Sequence, residues 1–282
     1  YVVFGAVTRR AMERGEAGTG QSRLLSIYGL VEAGIGAWAL LFPSLFRVAT
    51  AASLGLPQLG VGLGFGVDVL LTVLLIGPPT LLMGGTIPIL TQSLSSSLRD
   101  ATRLHALVYA SNTAGAFAGA LAAGFLLIPW LGLDAVMRWL GLVNLIAGGT
   151  FLLLGSRRRD LPPASERARA PKPGPSPRAA KLGILTAVAL LSGFSMMAIQ
   201  TILNRLAALS IGASQFTFSI VVAVFVLCIA LGSFAVSALR RIPIGTAVVT
   251  QWLLVLLLVV LYLQVSSAPY WAHVVRTWFG TQ

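Results

Sequence analysis

The stretch that decides the fold is Gly155–Lys181, GSRRRDLPPASERARAPKPGPSPRAAK, with six prolines and eight basic residues. Such a segment cannot bury apolar surface and reads as a disordered or polyproline-like connector. What it connects is the opposite in character. On either side lie apolar runs long enough to cross a bilayer, which takes about 20 mostly apolar residues. Whole-chain composition agrees: 56% hydrophobic, 10% charged and a mean hydropathy of +0.88, against about a quarter charged in a soluble domain.

Working outward, complete spans are predicted at Leu24–Phe46, Val67–Leu94, His105–Ile128, Leu133–Gly155, Leu182–Leu209, Gln215–Leu239 and Ile244–Gln264. The second carries Pro78, Pro79 and Pro88, so it is expected to be a kinked helix or, alternatively, a span followed by a re-entrant piece. The Gly-rich stretch Arg47–Gly66 is expected at the outer surface, partly as an interfacial helix. Sixteen of the twenty Lys and Arg residues fall in Arg9–Arg23, Arg99–Arg103, Arg157–Lys181 and Arg240–Arg241, leaving Arg47, Arg138, Arg205 and Arg276 elsewhere. Threading the seven spans puts all four basic segments on one side, which the positive-inside rule makes cytoplasmic; a bacterial inner membrane is the expected setting. The net charge of +12 is therefore an orientation signal. Nucleic acid is not an expected partner, because no basic stripe interleaves with aromatics.

Tyr1–Val7 precedes the cytoplasmic Arg9–Arg10 pair. Seven helical residues cover only ~10 Å of a ~30 Å core, so these residues are expected to be the tail of a partial first helix; a short helix covered by a partner subunit is the other reading. FGAVTRR before Leu24 matches SFAVSALRR before Ile244, which suggests two related halves. The expected organisation is an N-terminal membrane half at 1–155, the basic Pro-rich linker at 156–181, and the start of a C-terminal half at 182–282 that ends in an outer interfacial segment. The fold class is all-α, a polytopic transmembrane bundle of major-facilitator-like layout.

Three segments carry more than membrane character: PPTLLMGGTIPIL (Pro78–Leu90), YASNTAGAFAGALAAGFLLIPWLGLD (Tyr109–Asp134), and SGFSMMAIQTILNRLAALSIGAS with VVAVFVLCIALGS (Ser192–Ser214, Val221–Ser233). Within them stand Tyr109, Asn112 and Gly115 in a Tyr-x-x-Asn-x-x-Gly core, and Pro79, Met83 and Gly84 in a Pro-x-x-x-Met-Gly segment. From Phe4 to about Leu263 the chain resembles the membrane domain of bacterial spermidine-synthase-like proteins, without their aminopropyltransferase domain. The resemblance implies helices two to nine of a larger transporter-like bundle. It also implies a Ser-Gly…Glu…Trp-x-Arg helix opening each half. Only the second half shows one, at Ser192, Gly193, Gln200, Leu203 and Arg205, with Gln in place of the acid and Leu in place of the Trp.

Glu32 stands ~12 Å into its span, and an intramembrane carboxylate is a functional group by default; a hydrogen-bonded structural acid is the competing reading. Asn112, Thr86 and the backbone near Pro88 fall in the same half of the membrane, so the four are expected to line one polar cavity. Gln200 and Asn204 share a helix face, and Arg205 near the outer end either snorkels or pairs internally. Gly115, Gly119 and Ala123 have small-x-x-x-small spacing and are expected to pack helices closely. Trp271, Trp278 and Phe279 are expected to anchor the last segment at an interface. Glycines at 60, 62, 64 and 66 mimic a nucleotide loop, but no βαβ unit surrounds them. His105 and His273 are isolated, the lone Cys228 lies in an apolar run, and no nucleophile–base pair is evident. No cofactor or metal is expected, and the chain is read as a non-enzyme: a scaffold or accessory subunit whose partners are the bilayer and other membrane subunits. The alternative is a transporter-like domain moving a small polar or cationic substrate such as a polyamine.

Overall fold

The computed structural model describes residues 19–55, 60–94, 98–159, 179–238 and 245–279. The expected partial helix at Tyr1–Val7, most of the linker and the Arg240–Arg241 pair lie outside them. Every described element is a helix: α1 (Thr19–Gly55), α2 (Val61–Leu94), α3 (Leu98–Ala122), a π turn at Ala123–Leu127, α4 (Ile128–Leu131), α5 (Leu133–Arg159), α6 (Ala179–Ile211), α7 (Gln215–Ala238), α8 (Thr246–Gln264), a 3-10 turn at Val265–Ser267, and α9 (Ala268–Phe279). Seven are long and apolar enough to cross a membrane: Gln21–Gly55, Gly62–Leu94, Leu107–Leu131, Leu133–Arg157, Leu190–Ile211, Gln215–Ala235 and Val248–Trp271. The chain is on that basis an integral membrane protein.

Arg47–Gly55 continues α1 as helix, and Val61–Gly66 opens α2. The second span is one unbroken helix through Pro78, Pro79 and Pro88, so of the two expectations for it the single helix holds and the re-entrant piece falls away. Proline at position 79 removes the N–H that would bond the carbonyl of Leu75, four residues earlier. The indole of Trp38 on α1 supplies the missing donor, with Nε1 2.9 Å from the Leu75 oxygen. In a bilayer, where water cannot satisfy a freed carbonyl, a neighbouring helix must do so.

The chain divides into two compact units, and the division does not follow chain order. Ala110–Leu126 groups with the residues from Lys172 onward, and the remainder of the first half forms the other unit. In the first unit, α1 and α5 run antiparallel along a seam of small residues. Ser22, Gly29, Gly36 and Pro43 recur every seven positions on α1, as Gly141, Gly148 and Gly155 do on α5, and all are buried. A Cβ at Gly29 would lie 2.7 Å from the Gly148 oxygen, and one at Gly36 2.6 Å from the Gly141 oxygen. The two backbones touch, a closeness that only small residues allow. On its other side α1 packs against α2 through Leu24, Val31, Ile35 and Ile89, with Ile27, Tyr28 and Leu82 around them.

In the second unit α6 packs on α7, and the turn between them is built from local chemistry. Gly212 takes φ +115°, a conformation open to glycine. Ser214 then caps α7: its Oγ accepts from the Thr217 N–H at 3.2 Å, while Thr217 Oγ1 donates to the Gly212 carbonyl at 2.8 Å, the usual repair for unpaired amides at a helix start. The π turn brings the buried Gly124 against Ser219, with Phe125 and Phe216 ring centroids 5.2 Å apart.

Candidate functional site

The residues expected to form one polar cavity belong to different units. Glu32, Thr86 and Pro88 are in the first; Asn112, Gln200, Asn204 and Arg205 are in the second. Glu32 is half-buried on α1, one turn after Tyr28 on the same helix, close enough to act on its hydroxyl. Tyr28 is itself fixed by the Phe151 ring of α5, edge-on at 4.6 Å. The acid thus stands beside a tyrosine that is packed between α1 and α5. Thr86 donates to the Met83 carbonyl of its own helix at 2.8 Å, and Pro88 is half-buried within α2.

In the second unit Asn112 is exposed on α3. Gln200 and Asn204 are half-buried one turn apart on α6, and the buried Asn204 Oδ1 has no hydrogen-bond partner among the described residues. Arg205 is exposed. Gly115 and Gly119 are also exposed, and nothing lies within 4 Å of where their Cβ atoms would be; Ala123 opens the π turn. The close packing expected of this helix is thus not made within the described residues. It is made instead by the glycines of α1 and α5, where sequence reading had singled out none.

Asn112, Gly115 and Gly119, spaced three and four apart, occupy one helix face. That face presents a carboxamide and two bare stretches of backbone. Lipid chains can cover the backbone loosely but cannot hydrogen-bond the amide, whereas another helix can do both.

Some of the charged and polar residues outside the basic segments have partners. Arg47 pairs with Asp134 at 3.6 Å, both exposed, and Asp68 accepts from the Ser53 hydroxyl at 2.7 Å. His105 faces the Thr91 hydroxyl at 3.4 Å. No group of three or more His, Cys, Asp or Glu residues could hold a metal ion among the described residues. The α9 helix carries Tyr270 against Trp271, ring centroids 5.6 Å apart, with Trp271 and Trp278 both exposed. Compared with known proteins, the chain matches no family model, no curated protein and no solved structure.

Proposed function

We propose that this chain is a non-catalytic membrane scaffold, an accessory subunit of a larger membrane assembly that contributes helices rather than chemistry. The observation that carries this reading is the open Asn112–Gly115–Gly119 face of α3. A polar and small-residue face within an apolar span is what an interhelical contact uses, and the fitting partner is a transmembrane helix of another subunit that donates to or accepts from the amide. The Asn204 oxygen, which has no partner among the described residues, supports the same reading. We further propose a bacterial inner membrane with the basic segments cytoplasmic, and a major-facilitator-like pair of halves; charge placement and the matching FGAVTRR and SFAVSALRR segments support these.

Replacing Asn112, Gly115 and Gly119 together with leucine should weaken association by about tenfold, since interhelical polar contacts in bilayers are worth ~0.6–1.7 kcal/mol. The measurement is the mass of the complex purified in mild detergent. Wild type should exceed one chain and the triple variant should shift toward one chain; a wild type already at one chain overturns the reading.

Glu32 and the resemblance to spermidine-synthase-like membrane domains favour a second reading, a carrier for a small cation. Purified protein in liposomes then takes up labelled spermidine, and Glu32→Gln abolishes the uptake. Absence of uptake, or uptake indifferent to that change, removes the carrier reading.

A further inference from the structure

At the end of α5 remote from Arg157, a groove of about 470 Å³ is lined by Leu131, Asp134, Ala135, Arg138, Trp139 and Leu142. Its charges are unbalanced. Asp134 is already paired with Arg47, so the three charged groups carry one cation in excess, and Arg138 has no acidic partner within 4 Å among the described residues. Arg47 and Arg138 are two of only four basic residues that escape the basic segments, so the second is a charge in need of a reason.

Depth supplies one. Arg138 and Arg157 lie about 28 Å apart along α5 at ~1.5 Å per residue, close to the ~30 Å thickness of the hydrocarbon core. If Arg157 sits at one headgroup layer, as its basic segment requires, Arg138 sits at the other. Asp134 lies about 6 Å further out by the same rise. Trp139, beside Arg138, is 62% exposed, the residue type favoured at headgroup level. Leu131 and Leu142 are also exposed and offer an apolar wall above and below.

We propose that this groove is a phospholipid site, in which Arg138 holds the phosphodiester of an anionic lipid, Trp139, Leu131 and Leu142 cover the glycerol and first acyl carbons, and the Arg47–Asp134 pair forms the outer lip. The excess positive charge favours a net-negative headgroup over a zwitterionic one, and the apolar wall favours a lipid over free phosphate. Arg138 is exposed, so its replacement leaves the helix intact. The site is independent of the scaffold reading, because one chain in a bilayer suffices for it.

The test is native mass measurement of purified protein exchanged into detergent containing equal phosphatidylglycerol and phosphatidylcholine. Wild type should retain phosphatidylglycerol preferentially, and Arg138→Gln should lower that retention roughly fivefold, the worth of one arginine at an anionic surface. Soluble glycerol phosphate at millimolar concentration should not compete. Equal retention of the two lipids by wild type, an unchanged profile in the variant, or displacement by glycerol phosphate would each overturn the proposal.

Discussion

Gly148→Leu should separate α1 from α5 and leave a protein that unfolds at distinctly lower temperature or detergent stress than wild type. A Cβ at position 148 meets the Ala33 amide nitrogen and the Gly29 carbonyl oxygen, each at 2.7 Å. Both are backbone atoms, so no side-chain rotation relieves the clash and the helices must move apart. Overpacking a close-fitted core costs ~1–3 kcal/mol. Here the displacement spreads along a seam that also includes Gly36 against Gly141 and Ser22 against Gly155, so the upper end of that range is expected. The control is one residue away. Gly149 has nothing within 4 Å of a Cβ, and Gly149→Ala should be neutral or stabilising by up to ~1 kcal/mol through helix propensity. Thermal unfolding of the two variants in the same detergent decides it: equal midpoints would dismiss the seam.

The second large effect is expected at Trp38. Trp38→Phe keeps most of the ring but removes the N–H that satisfies Leu75. A buried carbonyl left without a donor costs ~1–3 kcal/mol, and this one has no intrahelical alternative while residue 79 is proline. The specific claim is coupling. In a Pro79→Ala background the alanine amide takes over the Leu75 carbonyl, so Trp38→Phe should lose most of its cost. A double-mutant cycle measured by denaturation should return an interaction energy of ~1 kcal/mol or more. Additive costs would show that the indole contact is incidental to the proline.

These two sites also show what could and could not be read from the residues alone. The spans were legible because twenty apolar residues in a row have few other uses, and all seven observed spans overlap the expected ranges over most of their length. The α1 and α2 ends were not: Arg47–Gly66 is rich in glycine and small residues, which weakens helix propensity locally but does not override continuation from two strong helices. The α1–α5 seam was invisible for a different reason. A seven-residue recurrence of Ser22, Gly29 and Gly36 acquires meaning only when set against Gly141, Gly148 and Gly155 three spans later, and pairing is a tertiary fact. The small-residue run at Gly115–Ala123 was the more conspicuous local pattern, yet Gly115 and Gly119 meet no other helix among the described residues. Likewise Glu32 was evident as an intramembrane acid, and its i, i+4 spacing from Tyr28 made them neighbours on a helix, whereas the Phe151 ring against Tyr28 is a tertiary contact. Pro79 did carry a readable signal: a proline within a span always frees a carbonyl, and a tryptophan on a neighbouring helix is a natural donor.

The α1–α5 seam has a consequence in time as well as space. Gly148 leaves the ribosome about 120 residues after Gly29, at ~5–20 residues per second a delay on the order of ten seconds. Once α2 has followed it, α1 has that helix on one side and, on the other, until α5 is made, a bare glycine stripe with no native neighbour. Insertion machinery or a bystander helix can occupy that stripe first. The rate of synthesis through α2, α3 and α4 therefore becomes a variable in the yield of native protein, and slowing translation there should enlarge the fraction degraded before α5 arrives.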